Sequence, residues 1–225
     1  MIEPLKKIKQ AIESSKMENH NLPSSIYELL KQAAQQFPDQ NAIRYFFEGK
    51  NYQQEASGTF QQLLEGVTQT ANLIHGLGVQ GGDAVAVILP RIPETYLAIL
   101  GTGIVANVHP IEASLPSDQI AELLQKANPK VLICSAPFPA MEIWDLLEII
   151  RPHLSNLTII LQVDMADYLS KLKRIGVRMS MRNQGKADKI SGQQLGDFNR
   201  SRKKSQSINE SAKRGLEITI RRRFK

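Results

Sequence analysis

The residue types that do chemistry in proteins are present in this chain, but their spacing brings few of them together. His20, His75, His109 and His153 stand far apart, and none has a second His or Cys at metal-ligand spacing. His75 follows Leu73 and Ile74 and is read as a helix-end surface residue. Cys134, the single cysteine, rules out an internal disulfide or a cysteine-rich zinc site. It lies in an apolar run, where a thiol behaves as a small buried hydrophobe. Trp144 shares a helical face with Leu147, which points to packing. No Gly-x-Ser-x-Gly elbow occurs, so serine-based hydrolysis has no support. Gln184-Gly185-Lys186 and Ser191-Gly192-Gln193 lack the spacing of a phosphate cradle and read as loops. For catalytic, cofactor-binding and metal-binding residues alike, the assignment is none.

Composition narrows the class. At 225 residues the chain has room for one ordinary domain or one and a half small ones, and 42% hydrophobic residues are enough for a packed core. Its longest apolar runs, such as Ala84 to Leu89, are strand-sized and predict no transmembrane segment. The opening MIEPLKKIKQAIESSK has no continuous apolar stretch ending in small residues, so it does not read as a secretory signal, and cytoplasmic residence is the expectation. The net charge of +6 hides two unlike halves: residues 1–170 hold 11 Lys+Arg against 18 Asp+Glu, residues 171–225 hold 17 against 4. The basic balance belongs to the C-terminal segment. There Arg202-Lys203-Lys204, Lys213-Arg214 and Arg221-Arg222-Arg223 could meet phosphates non-specifically. No reading motif accompanies them, so nucleic acid is disfavoured as a partner and a solvated, disordered end is expected.

The elements that must position any site follow from periodicity. Ser25 with Glu28 three residues on begins a helix whose apolar face is Ile26, Leu29, Leu30, Ala33, Ala34 and Phe37. Ala42 to Phe47 reads as a strand and Glu48 to Ser57 as a polar connection. Thr59 and Gln62 open a second helix through Phe60, Leu63, Leu64, Val67, Ala71 and Ile74, stopped at Gly76 and Gly78. Next come a strand over Ala84 to Leu89, a break from Pro90 to Pro93, a helix over Glu94 to Val105 and a short strand over Val108 to Ile111. A helix over Ser117 to Ala127, a strand over Val131 to Ser135, a helix over Ala140 to Ile150 and a strand over Leu157 to Val163 complete the patterned part. Apolar strands alternating with helices of about ten residues predict an α/β fold, parallel-sheet layers flanked by helices, with right-handed crossovers. Beyond it, Asp167 to Arg174 suggests a helix and Gly176 to Met181 a strand, and no periodicity survives past Asn183. The first residues carry a weak Ile2, Leu5, Ile8, Ile12 stripe, read as a frayed or surface helix.

The stretch TFQQLLEGVTQTANLIHGLGVQGGDAVAVILPRIPETYLAILG carries a resemblance as well as a fold. Ala71-Asn72-Leu73, Gly78-Val79, Gly82-Asp83, Val85-Ala86 and Leu89-Pro90 fall in the order and spacing of the N-terminal part of the AMP-forming acyl-CoA synthetases. Pro93-Glu94 with Tyr96 to Gly101 resembles the helix that follows there, and Ala127 to Ile133 its next strand. Phe37-Pro38-Asp39 and Ala42-Ile43 resemble the lead-in, so the likeness covers residues 24–135 and extends toward 165. Gly103, Asn107 and His109-Pro110 depart from the usual pattern. Most of these positions are turn and packing residues, which mark ancestry without doing chemistry.

The resemblance implies an N-terminal portion of an adenylate-forming domain. It also implies an ancestral reaction in which a carboxylate and ATP give acyl-AMP, whose acyl group passes to coenzyme A. ATP, Mg2+ and coenzyme A are cofactors of the intact family; none is expected for this chain alone. The Ser/Thr-Gly-rich loop with its lysine, the Tyr-Gly-x-Thr-Glu and Thr-Gly-Asp motifs and the C-terminal lysine region are not in the sequence. The expected organisation is therefore a flexible lead over 1–22, an incomplete α/β subdomain over 23–165 and a weakly patterned basic segment over 166–225. The expected function is that of a truncated, singly inactive synthetase. Two alternatives remain: an interaction module or partner of a separately encoded catalytic remainder, and a binder of nucleic acid or anionic surfaces. Self-association or a complementary synthetase fragment are the expected partnerships.

Overall fold

The first described helix starts where the Glu28 amide donates to Ser25 Oγ at 3.2 Å. The computed structural model describes residues 23–47, 49, 53, 55–139, 143–184 and 194–205. Helix α1 (Ile26–Gln36) buries Leu30 and Ala34 and ends one residue before Phe37. Strand β1 (Asn41–Tyr45) pairs antiparallel with β2 (Ala56–Thr59), so the end of the stretch expected to be only a polar connection is the second strand of a hairpin. Thr59 then caps α2 (Phe60–Gly76) with a complete capping box: the Gln62 amide donates to Thr59 Oγ1, and the Thr59 amide to Gln62 Oε1 at 2.9 Å. Gly78 follows at φ 73°, a left-handed conformation that a side chain would strain.

Five parallel strands form the main sheet in the order β4-β3-β5-β6-β7: β3 (Ala84–Ile88), β4 (Asn107–Pro110), β5 (Val131–Ser135), β6 (Ile159–Val163) and β7 (Gln194–Asp197). The helices between them are α3 (Pro93–Val105), α4 (Ser117–Ala127), α5 (Ile143–Ile150) and α6 (Lys171–Gln184), and α7 (Phe198–Ser205) follows β7. Side chains alternate across the sheet, and around the inner strands β3, β5 and β6 both faces are buried, which is why these three read as apolar runs. Val85, Val87, Val131, Ile133 and Leu161 share one core with α2, α3 and Phe198. Ala86, Ile88, Leu132, Cys134 and Ile160 share the other with Ile120, Leu124, Trp144 and Leu147. On the first side α2 and α3 touch closely enough that a Cβ at Gly101 would lie 2.5 Å from Thr70 Cβ and 2.8 Å from the Val67 carbonyl oxygen.

Two expectations need correction. The strand over Gly176 to Met181 is part of helix α6, preceded by a 3-10 turn over Met165–Tyr168 where a helix was expected to begin. Leu172, Ile175 and Met179 are 85%, 57% and 64% exposed, so no core selects the alternating pattern, and the helix propensity of Leu, Lys, Arg and Met decides. Arg174 secures the helix by donating to the Ala166 and Asp167 carbonyls at 3.1 and 2.8 Å, and Arg178 by pairing with Asp164 at 2.6 Å. Secondly, the segment past Asn183 contributes an edge strand and a docked helix. Phe198 is fully buried, a burial that stabilises by about 1.5–3 kcal/mol. Residues 1–22 and 206–225, including the N-terminal stripe, His20 and the last two basic clusters, lie outside the described residues. No described helix is long and apolar enough to cross a membrane.

Candidate functional site

The strand order places the one reversal of connection direction between β3 and β5, since β3 leads through α3 to its neighbour on one side and β5 through α5 to its neighbour on the other. In open α/β sheets, ligands bind beyond the carboxyl ends of the strands at such a point. A crevice of ≈ 590 Å³ lies there. Its floor and walls come from Ile88 and Pro90-Arg91 after β3, Glu112 to Leu115 after β4, Ser117 and Ile120 of α4, Ser135 of β5, and Ile143 and Leu146 of α5.

Local hydrogen bonds fix this rim. The Ile92 amide donates to the Pro90 carbonyl at 2.8 Å and Thr95 Oγ1 to the same oxygen at 2.5 Å, folding the Pro90 to Pro93 break into the start of α3. The Ile111 amide donates to the Val87 carbonyl at 2.9 Å, carrying the sheet pattern into the loop with Glu112. Trp144 Nε1 donates to the Ser135 carbonyl at 2.8 Å, so the buried indole anchors α5 against the end of β5.

The chemistry available in the crevice is binding. Arg91 is its one cation and Glu112 its one carboxylate among the lining residues. Ser114 Oγ donates to Glu112 Oε1 at 3.3 Å on the exposed rim, with no histidine beside it. The triphosphate of ATP with Mg2+ calls for a loop of backbone donors, a lysine and acidic metal ligands. This donor set does not fit that group, and the described residues hold no cluster of three or more His, Cys, Asp or Glu.

The structure places the other sequence candidates apart. His75, His109 and His153 are exposed, at the end of α2, on edge strand β4 and on a 3-10 turn after α5. Cys134 is fully buried, and burial pushes its thiol up to about 12, which leaves it unreactive in the folded chain. Arg202 turns inward instead of standing with Lys203 and Lys204 as a phosphate contact: its Nη1 donates to Gln69 Oε1 at 2.6 Å. It belongs to a polar cluster that sequence reading missed. Asn199 Nδ2 donates to Glu94 Oε1 at 3.0 Å, Tyr168 donates its hydroxyl to Glu94 Oε2, and Ser205 Oγ donates to the Gln69 carbonyl at 3.0 Å. Burial, and then the bond to Glu94, pushes the Tyr168 phenol up. Tyr45 meets Tyr168 edge-on at 5.1 Å and Phe47 stacks on it at 5.9 Å, joining the hairpin to the cluster. The sequence signal was Asp197-Phe198: the Arg200 amide donates to Asp197 Oδ1 at 2.6 Å, a helix cap followed by an apolar anchor.

Comparison with known proteins agrees with this geometry. The acetyl-coenzyme A synthetase of Streptomyces coelicolor is 38% identical over 92 residues, 40% of this chain and 14% of that protein. Acetyl-coenzyme A synthetase 1 of Saccharomyces cerevisiae is 30% identical over 112 residues, 49% of this chain and 15% of that protein. The matched stretch is thus a small share of either relative. The crystal structure of the anthranilate CoA ligase AuaEII in complex with anthranoyl-AMP superposes with a TM-score of 0.51 at 24% identity, covering 69% of this chain and 28% of that one, and shows the same fold. A sequence model of the AMP-binding enzymes matches residues 30–197, and with the parallel sheet it covers, this chain belongs to that family of adenylate-forming synthetases.

Proposed function

We propose that this chain supplies the amino-terminal portion of an acyl-CoA synthetase, performs no adenylation by itself, and acts with a complementary portion that carries the nucleotide-binding loop. The family match over residues 30–197 carries the reading. Its support is the contrast between a well-formed switch-point crevice and a sequence without the Ser/Thr-Gly-rich loop and lysine that stabilise charge on the transferring phosphoryl group. The ancestral chemistry is carboxylate activation through acyl-AMP to a thioester of coenzyme A, with ATP and Mg2+ held by the complementary portion. The single reduced Cys134 accords with a cytoplasmic setting.

The test is carboxylate-dependent exchange of pyrophosphate into ATP, with short, medium, long and aromatic acids. The purified chain is expected to give no exchange above a no-acid control. Mixing it with a synthetase fragment bearing the phosphate loop, the adenine-binding motif and the C-terminal lysine region is expected to restore exchange. Activity of the chain alone that survives repurification overturns the reading.

A further inference from the structure

We infer that the apolar groove between α1 and α3 is the docking site of this chain's own N-terminal segment, with Ile2, Leu5, Ile8 and Ile12 laid into it as one face of a helix. The inference stands on the groove and on the residues that lead into it, and does not depend on the proposed function. The groove holds ≈ 360 Å³, with Ile26, Tyr27 and Leu30 of α1 on one side and Ile99, Leu100 and Gly103 of α3 on the other. Its polar side chains are already engaged: the Tyr27 hydroxyl is bonded to Thr68 Oγ1 at 3.1 Å, and Ser25 Oγ accepts from the Glu28 amide at 3.2 Å. What remains to meet an occupant is hydrocarbon.

Both helices carry more apolar surface here than the core uses. On α1 only Leu30 and Ala34 are buried, while Ile26 and Leu29 of the same face stand 67% and 54% exposed. Helix α3 has no charged residue after Glu94 in its first turn, yet Tyr96 and Gly103 are exposed on it and Ile99 and Leu100 only partly buried. A helix apolar all round is one that a folded protein covers on every side. Gly103 leaves a notch in this face, since a Cβ there would meet nothing nearer than Val108 Cγ1 at 3.8 Å. Position, pattern and reach name the occupant. The groove opens at Ser25 and Ile26, and residues 1–22 lead into it through Pro23. Ile2, Leu5, Ile8 and Ile12 recur at helical spacing, with Lys6, Lys7 and Gln10 turned away from them. As a helix, Leu5 to Ile12 spans about 10 Å, the same length as Tyr96 to Gly103 along α3. Residues 13–24 between the stripe and Ser25 extend to about 40 Å, ample to fold back, and Asn19, Asn21 and Pro23 suit a reversal. A tether of this length holds the stripe at a local concentration on the order of millimolar, an advantage that neither a second copy nor a separate partner has.

Cysteine pairing in the full chain tests this, because its one natural cysteine, Cys134, is fully buried. Lys9 borders the stripe without belonging to it, and Gly103 is exposed with room for a Cβ, so Lys9→Cys with Gly103→Cys spares both apolar surfaces. In a glutathione redox buffer this pair is expected to close into an internally cross-linked monomer at least about tenfold faster than Lys9→Cys with Ile149→Cys. Ile149 is 71% exposed on α5, across the sheet from the groove. Adding Leu5→Glu, which keeps the chain length and both thiols, is expected to slow the first pair several-fold and leave the second unchanged. Equal rates for the two pairs would leave this face to a separate partner and overturn the inference. Cross-links formed only between chains would assign the groove to a second copy and overturn it as well. Unaltered pairing with Leu5→Glu would overturn the role of the stripe.

Discussion

The two ends of the parallel sheet are built from the same strands and finished in opposite ways. At the amino ends, polar groups are spent on one another. Lys130 Nζ meets Asp83 Oδ2 at 2.9 Å and the Gly78 carbonyl at 2.8 Å, and the Gln80 amide donates to the same Asp83 oxygen at 2.9 Å. The Lys130 backbone joins Ala84 and Thr158, and Asn128 meets Ser155 and Asn156. A surface depression of ≈ 440 Å³ lies there, but these mutually bonded groups line it. At the carboxyl ends the crevice carries Arg91, which makes no ion pair among the described residues, and an exposed Glu112–Ser114 pair. The difference teaches that a family signature can mark the closed end of a sheet as strongly as the open one. Gly82-Asp83 and the strand after Ala127 carry the signature at the closed end, where they tie the bottom of the sheet, and Leu89-Pro90 carries it at the open end, where Pro90 lines the crevice beside Arg91 and the loop from Glu112 to Leu115.

The largest expected effect comes from loosening the open end. Trp144 is 2% exposed and is the wedge between α5 and the end of β5. Trp144→Ala should cost about 3–5 kcal/mol by urea denaturation, through cavity formation and the loss of its bond to the Ser135 carbonyl. A loss under about 1 kcal/mol would mean that α5 is not what shapes the crevice wall.

A second prediction sharpens the same boundary. Cys134 precedes the crevice residue Ser135 on β5 but faces the buried layer, and its thiol is pushed up to about 12 by burial. Maleimide at pH 8 should label it roughly 10³-fold more slowly in the folded chain than in urea, following the population of the unfolded form. Rapid labelling without denaturant would place solvent a layer deeper than the structure does.

Legibility in the sequence divides along the same physical line. Where a side chain has a core to enter, its period gave the element: α2 with its capping box, the apolar strands β3, β5 and β6, and the helices that cover them. Where burial does not decide, the reading failed. Strand β2, Ala-Ser-Gly-Thr, is held by backbone pairing to β1 and has no apolar signature. Valine and methionine alternate over Gly176 to Met181, yet the segment is helical and Met179 stands exposed. Edge strand β7 and α7 hold only two large apolar residues, Leu195 and the buried Phe198, so a periodicity test passes over them. The crevice was equally hidden, because it depends on strand order, which no local pattern encodes. Arg202 was misread for a related reason: a run of basic residues looks uniform until one of them is turned inward.

The smallest expected effect is at the closed end, and its pH dependence is what distinguishes it. Lys130→Met removes the ion pair with Asp83, whose side chains are each about one-third exposed, so solvent screening limits the loss to about 0.5–1 kcal/mol at neutral pH. The hydrogen bond from Lys130 comes first, and that from the Gln80 amide second, in holding the Asp83 carboxyl below its ordinary range. A carboxyl whose folded pKa is depressed adds stability that is complete above its unfolded value of about 3.9 and fades as pH falls through the folded value. The stability gap between the wild-type chain and Lys130→Met should therefore be constant from about pH 7 to 5 and close in acid below about 3.9. Urea midpoints across that range measure it. A gap that persists at low pH would assign the contribution of Lys130 to its bond with the Gly78 carbonyl and to packing of its stem, and the amino end would then be closed by neutral contacts, with the charge pair contributing nothing measurable.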